Sequence, residues 1–361
     1  MAAASALDQF EQFLAARNFY DASQKVKGVA TRLLAPPRRG PQPQPDADGF
    51  YAFDQKARDA CELLWTGARR LLEQQQTGSG VDLAEMLLDT WKQRGVKCAA
   101  EERAKVIQLI ALTGPHGNWR TVLVNSACAW SAKTGSGPAG DPEIHYYVGQ
   151  TLHKEGDYHG ASLHLLLCPT QDAGRELAAV MFNWSKLDSE GPAAVGRYAA
   201  RGTLSYLESE FILAARTFLS HFLTLALAAH PNLLVVRYPY PPPESPLAKQ
   251  GTESGDELVV TKLASLNFLQ LAVKACQAGA GENLEKSRAD QGASVEKGKG
   301  RRVWQSLLQR YEKDVQWLKM PETKASTAEL GDLYFEIKPP RPAGNPFADI
   351  LSGMFGGTPG R

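Results

Sequence analysis

"HKEGDYHGASLHLLL", residues 153–167, has two readings, and the choice between them sets the fold. His153, His159 and His164 stand close to Glu155 and Asp157, the residue types of a metal site. Equally, Gly156-Asp157-Tyr158 followed by Ala161 is the makings of a tight turn between two helices. Spacing favours the turn. A zinc-binding helix of the zincin type places two His at i, i+4 with Glu between them, and no pair here is so spaced. His159 and His164 are five residues apart, about 140° around a helix, and His145 upstream adds no matching partner. No metal ligand is assigned.

The turn reading recurs along the chain. "ARNFYDASQKV" (16–26) carries Asn18, Tyr20 and Ala22-Ser23, beside Gly156, Tyr158 and Ala161-Ser162 of "KEGDYHGASLHL". "LESEFILAARTFL" (207–219) offers Phe211 for the tyrosine and Ala214 for the alanine. This is a degraded tetratricopeptide-type G-x-Y-x-x-A pattern. Its logic is steric. Gly or Asn closes one helix in a left-handed conformation, the aromatic wedges between paired helices, and Ala lets the backbones approach.

Helical periodicity fills the space between these turns. Residues 54–74 place Ala57, Cys61, Leu64, Trp65, Ala68, Leu71 and Leu72 three and four apart. "VDLAEMLLDTWKQRG" is expected to start on Asp82 as N-cap and to stop at Gly95. "AAEERAKVIQLIALTG", "NWRTVLVNSACAWSAKTG" and "DPEIHYYVGQTLHKEG" each end on a glycine. Units of this length with short breaks predict an all-α α-solenoid of stacked antiparallel helix pairs. One exception is expected. The β-branched runs at 233–238 and 257–261 are predicted to pair as a single short β-hairpin in the C-terminal half, closed by a long loop. Residues 35–49, Pro-rich and polar, read as a flexible insertion, and 281–300, charged and without aromatics, as a disordered loop. In the tail, Phe347, Ile350, Leu351, Met354 and Phe355 form an amphipathic stripe that packs on its own chain or serves a partner groove.

Charge and cysteine content narrow the function. Over 361 residues, 40 Lys+Arg oppose 39 Asp+Glu, a net charge of +1. No global field therefore favours nucleic acid or an anionic membrane. The five cysteines lie far apart with no CxxC pair, as in reduced, buried thiols of a cytosolic protein. "MAAASALDQFEQF" has no basic n-region before Asp8, so no signal peptide is read. "FILAARTFLSHFLTLALAAH", broken by Arg216 and His221, is expected to be a core helix rather than a span, and no stable membrane insertion is expected.

No catalytic motif stands up. "GSGPAG" (135–140) fits G-x-G-x-x-G, but a helix precedes it and Pro138 removes an N–H that a phosphate would need. Asp141-Pro142 instead reads as an N-cap followed by Pro at the first helical position. G-x-S-x-G, Walker and kinase catalytic-loop patterns are missing. No enzyme activity and no cofactor are expected. Basic residues gather near the N-terminus: Arg17, Lys25, Lys27, Arg32, Arg38, Arg39, Lys56, Arg58, Arg69 and Arg70. They are either a solvated helix face or a patch for an acidic partner.

Several ordered pieces resemble the Golgi to ER traffic protein 4 family. They are "FYDASQKVKGVATRLL", "KARDACELLWTGARRLLEQQQTGSGVDLAEMLLDTW", "WSAKTGSGPAGDPEIH", "LHKEGDYHGASLHLL", "LASLNFLQLAVKACQ" and "LYFEIKPP", collinear over most of 8–355. The resemblance implies a cytosolic, non-catalytic α-solenoid in tail-anchored-protein insertion. It implies an N-terminal half (1–150) facing a targeting ATPase and a C-terminal half (151–338) facing a ubiquitin-like-domain protein, with a tail at 339–361. Through that bridge a small glutamine-rich tetratricopeptide co-chaperone hands over substrate. The ATPase-facing candidates are Tyr20, Lys25, Arg32 and Arg58. The ubiquitin-like-partner candidates are Val235, Val236, Tyr238, Leu258, Val259, Val260, Leu266, Phe268 and Leu271. The first helix, "ALDQFEQFLAAR", is nearly neutral where the family's is usually basic. Two alternatives are a generic tetratricopeptide co-chaperone for peptide tails, for which no regular Lys/Asn carboxylate clamp is found, and a metal-dependent hydrolase on His145–His164.

Overall fold

The computed structural model describes residues 2–37, 42–240, 256–288 and 299–338. Most of its helices are joined by connections of two to nine residues, and the chain divides into two compact units, Met1–Cys168 and Pro169–Arg361. The division falls after Cys168 rather than at 150 because α7 (Pro142–Glu155) and α8 (Tyr158–Leu165) pack as one hairpin. Before them the first unit holds α1 (Ala2–Ala15), α2 (Phe19–Leu34), α3 (Gln55–Glu73), α4 (Thr77–Gln93), α5 (Ala100–Thr113) and α6 (Trp119–Lys133). The second unit comprises α9 (Gln171–Ser185), α10 (Val195–Glu208), α11 (Ile212–Ala229), strands β1 (Leu234–Tyr240) and β2 (Asp256–Thr261), α12 (Ala264–Arg288), α13 (Lys299–Tyr311) and α14 (Pro321–Phe335).

The quoted stretch is a helix corner, and among the described residues four such corners have the next helix beginning two residues after the left-handed position. Arg17, Gln75, Gly156 and Glu210 each take a left-handed backbone, with φ of 56°, 60°, 82° and 60°. The next residue's N–H (Asn18, Gln76, Asp157, Phe211) donates to the carbonyl five residues back (Phe13, Leu71, Leu152, Tyr206) at 2.8 to 2.9 Å. This is the Schellman arrangement that satisfies the last carbonyls of a helix. Five residues past each left-handed position stands a small buried residue: Ala22, Gly80, Ala161 or Ala215. At Gly80 a Cβ would sit 2.7 Å from Leu72 Cγ, so only glycine admits that approach of α4 to α3.

This register corrects two of the predicted copies. Phe19, not Tyr20, occupies the place of Tyr158, and Tyr20 is 70% exposed. In the third copy Ile212 and Ala215 take the places assigned to Phe211 and Ala214. The fourth copy, at Gln75, escapes the pattern because glutamine holds the left-handed position. It also moves the start of α4 to Thr77, five residues before the expected cap at Asp82. Elsewhere the caps are as read: Asp141 accepts from the N–H groups of Glu143 and Ile144, with Pro142 at the first position, and Gly95 stops α4 with φ of 63°.

Each unit is closed by aromatic side chains. In the first, Trp91 and Trp130 lie 5.0 Å apart, and Trp130 Nε1 donates to the Val96 carbonyl at 2.7 Å. Arg120 grips Glu155 through two bonds of 2.8 and 2.6 Å, tying α6 to α7. In the second, α10 and α11 approach so closely that a Cβ on Gly202 would meet the Phe218 ring. Tyr334 Oη donates to the Leu207 carbonyl at 2.8 Å and Trp304 stacks on Phe335 at 5.2 Å, anchoring α13 and α14. α11 is long and apolar enough to cross a membrane. It buries Ala214, Phe218, Phe222 and Ala226 against α9 and α10, which makes it the core helix the sequence predicts.

Residues 42–49 contain no helix or strand, and Asp46 Oδ1 accepts from the N–H groups of Asp48 and Phe50 to form a turn. The expected loop at 281–300 is corrected at both ends. α12 runs on to Arg288, and α13 begins at Lys299. The tail stripe at 347–355 lies outside the described residues, as do Arg38 and Arg39.

Candidate functional site

The basic candidates do not form one patch. Lys25 and Arg32 are seven residues apart on α2 and share a face. With Val29 and Leu33 of α2 and Ser5 and Ala6 of α1, they line a groove of ≈ 300 Å³. Tyr20 lies about 120–140° around the helix from both, on the side of Lys27. That side is less basic, because Lys27 lies 3.7 Å from Asp82, and Asp82, Glu85 and Asp89 line the groove between α2 and α4. Arg58 stands elsewhere, on the first turn of α3, with its guanidinium 5.5 Å above the Phe53 ring and Nε donating to the Phe53 carbonyl. Of the four residues, the structure brings only Lys25 and Arg32 together.

The two strands form the predicted hairpin, antiparallel, with Val236 opposite Val260, Arg237 opposite Val259 and Tyr238 opposite Leu258. Residue 235 is the extra residue of a bulge. Directly opposed residues share a face and neighbours alternate. Val236, Tyr238, Leu258 and Val260 therefore make one apolar face. On it Tyr238 is 55% exposed and the other three are half-buried. The opposite face carries Arg237, Glu257 and Val259, turned toward α11 and α12, where Val259 packs with Leu227 and Leu233.

Both edges of this ribbon are closed to a further strand. Gln270 Oε1 accepts from the Val259 N–H at 2.8 Å, and Gln270 Nε2 donates to the Val259 carbonyl at 2.7 Å. Asn267 repeats the arrangement on Thr261, at 2.8 Å both ways. Two side-chain amides one turn apart on α12 thus stand in for a third strand. Because Val259 points its backbone groups away from β1, its opposite number Arg237 points its own to the free edge of β1. The next residue on that edge is Pro239, which has no N–H, and the bulge at Val235 disrupts the other end. Bulges and prolines are how sheet edges avoid unwanted pairing.

Three of the partner-facing candidates are thereby corrected. Leu266 and Phe268 are fully buried, the latter with Tyr311 at 5.8 Å and Trp317 at 5.9 Å, and Val259 faces inward. Leu271 is half-buried on α12, and Val235 is exposed in the bulge.

The histidine reading gains one contact that sequence spacing hid. His145 and His164, nineteen positions apart, meet with Nδ1 to Nδ1 at 2.8 Å. His145 Nε2 lies 3.0 Å from the Ala139 carbonyl, which only accepts, so Nε2 carries the proton. His145 Nδ1 is then the acceptor, and His164 Nδ1 donates to it. Burial, helped by the neighbouring His145, lowers the His164 pKa to about 4. Among the described residues no group of three or more His, Cys, Asp or Glu could hold a metal ion. Burial likewise pushes Cys61, Cys98 and Cys168 up to about 12, so these thiols stay protonated.

Fold and surface together define a predominantly helical solenoid protein that carries an apolar β-ribbon and a basic groove. The family model of Golgi to ER traffic protein 4 matches residues 54–355, and the chain belongs to that family. The Golgi to ER traffic protein 4 of Schizosaccharomyces pombe is 25% identical over 339 residues, 93% of this chain and 96% of its own. The human homolog is 30% identical over 116 residues, 32% of this chain and 35% of its own. A crystal structure of C. therm. Get4 superposes with a TM-score of 0.73 at 25% identity, covering 99% of this chain and 97% of that one.

Proposed function

We propose that the chain is a non-enzymatic cytosolic adaptor in the targeting of tail-anchored membrane proteins to the ER. Its N-terminal unit takes the targeting ATPase through the groove around Lys25 and Arg32. Its C-terminal unit takes a ubiquitin-like-domain co-chaperone on the outer face of the ribbon. Substrate arriving with a small glutamine-rich tetratricopeptide co-chaperone then passes to the ATPase on one assembly. Membership of the Golgi to ER traffic protein 4 family supports the pathway.

The observation that carries the docking assignment is the ribbon itself. A two-stranded ribbon with Tyr238 55% exposed on an apolar face, and with both edges stopped, offers a partner side-chain burial in place of strand pairing. Central aromatic anchors of this kind dominate binding energy. Substituting Tyr238→Glu should weaken binding of the ubiquitin-like-domain protein at least about 30-fold, about 2 kcal/mol, by isothermal calorimetry. Unchanged affinity, in a variant with unchanged circular dichroism, would remove the ribbon from the interface.

A further inference from the structure

The first unit holds a cavity of ≈ 160 Å³ between α3, the end of α4, α5 and the segment that leads into α3. Phe53, Trp65, Trp91 and Val96 give it apolar, mostly aromatic walls. Its polar lining falls into two groups. Lys105 and Glu62 are matched, since Lys105 Nζ lies 3.9 Å from Glu62 and 3.1 Å from Glu101, and burial keeps Cys61 a neutral thiol. Arg58 and Glu102 are not matched. Arg58 Nε donates to the Phe53 carbonyl at 3.3 Å, but no carboxylate among the described residues stands within ion-pair distance of its guanidinium. Glu102, half-buried in the first turn of α5, has neither an ion pair nor a hydrogen bond among them. The two line one cavity and do not pair with each other. Trp65 adds a third unmet group, an Nε1–H that is buried and donates to nothing.

We propose that this cavity binds a free α-amino acid with an apolar side chain. One small molecule carrying both an ammonium and a carboxylate meets Glu102 and Arg58 together, while its side chain enters the aromatic walls. A ligand with a single charge would leave the other residue unmatched. The size agrees, because an apolar cavity of about 150 Å³ accepts a benzene ring. A nucleotide or phosphate would suit Arg58 but bring more negative charge up to Glu62 and Glu102. A quaternary ammonium would suit the three aromatic rings but meet Arg58 and Lys105. The cavity shares no residue with the groove around Lys25 and Arg32, so the inference does not rest on the partner assignment.

Isothermal calorimetry on the full chain tests this with L-phenylalanine and two analogues of one charge each, phenethylamine and hydrocinnamate. L-Phenylalanine should bind at least about tenfold more tightly than either, the worth of one charge-assisted hydrogen bond. The indole N–H resonances of Trp65 and Trp91 should shift as it binds. Glu102→Gln should bring L-phenylalanine down to the level of hydrocinnamate, and Arg58→Gln down to that of phenethylamine. Should either variant misfold by circular dichroism, the three ligands on the unaltered chain decide. Equal affinity for all three ligands overturns the proposal, as does full affinity in both variants. So does a lack of binding at about 20 mM L-phenylalanine, about ten times the dissociation constant expected for a ligand of its size.

Discussion

Acidification should loosen the first unit through one side chain, His164. With its Nδ1–H donated to His145, the ring can gain a proton only at Nε2, in a partly buried site beside a second imidazole. Asp157 is the one carboxylate that opposes this, and it is outweighed. The folded protein therefore binds fewer protons than the unfolded chain once pH drops below 6.5. Stability is full above that value, falls as pH passes from 6.5 to about 4, and levels out below. A shift from 6.5 to about 4 is worth about 3 kcal/mol at 1.4 kcal/mol per tenfold. Carboxylates titrate in part of the same range, so the informative quantity is a difference. Urea unfolding of the native chain and of His164→Gln, followed by circular dichroism at pH 7.0 and 4.5, isolates it. The native chain should lose about 2.4 kcal/mol more than the variant between the two conditions, because pH 4.5 lies just short of the end of the transition. Identical pH dependence, or an NMR titration placing His164 near 6.5, would refute the hydrogen-bond assignment as well as the magnitude.

Two further perturbations follow from the corners and the ribbon. Arg17→Gly and Glu210→Gly each relieve a side chain held at positive φ and should raise stability by about 0.5–1 kcal/mol in urea melts, whereas Gly156→Ala should lower it by about 1 kcal/mol. No change at Arg17 and Glu210 would mean that their side chains earn back the strain. Gln270→Leu leaves the buried N–H and carbonyl of Val259 without partners and should cost about 1–3 kcal/mol, visible as faster amide exchange at Val259. Unaltered exchange there would mean that the β2 edge is not sealed by that amide.

The helical class was readable because the apolar spacing is regular and the helices from α2 to α8 begin on Asp or Asn or end at glycine. The repeat register was not, since three of the four left-handed corners are Arg17, Gln75 and Glu210, residues with no bias toward that conformation. A search for G-x-Y-x-x-A sees only the Gly156 copy in correct alignment. The hairpin was readable from its β-branched runs. Which of its residues face out was not, because that depends on Gln270 and Asn267 of the next helix. The phase of an isolated short strand is set by tertiary partners. Leu266 and Phe268 were read as surface for the same reason: adjacency to a dock in sequence says nothing of the side of a helix. His145 and His164 met through the packing of α7 on α8, a contact no local spacing rule contains.

The central claim is that one chain holds two partners at once through separate surfaces. Sedimentation velocity on the chain mixed with the targeting ATPase and the ubiquitin-like-domain protein tests it directly. A single boundary containing all three proteins is expected. Lys25→Glu with Arg32→Glu should release only the ATPase, and Tyr238→Glu should release only the ubiquitin-like-domain protein. Mutually exclusive binding, or loss of both partners on either change, would contradict it.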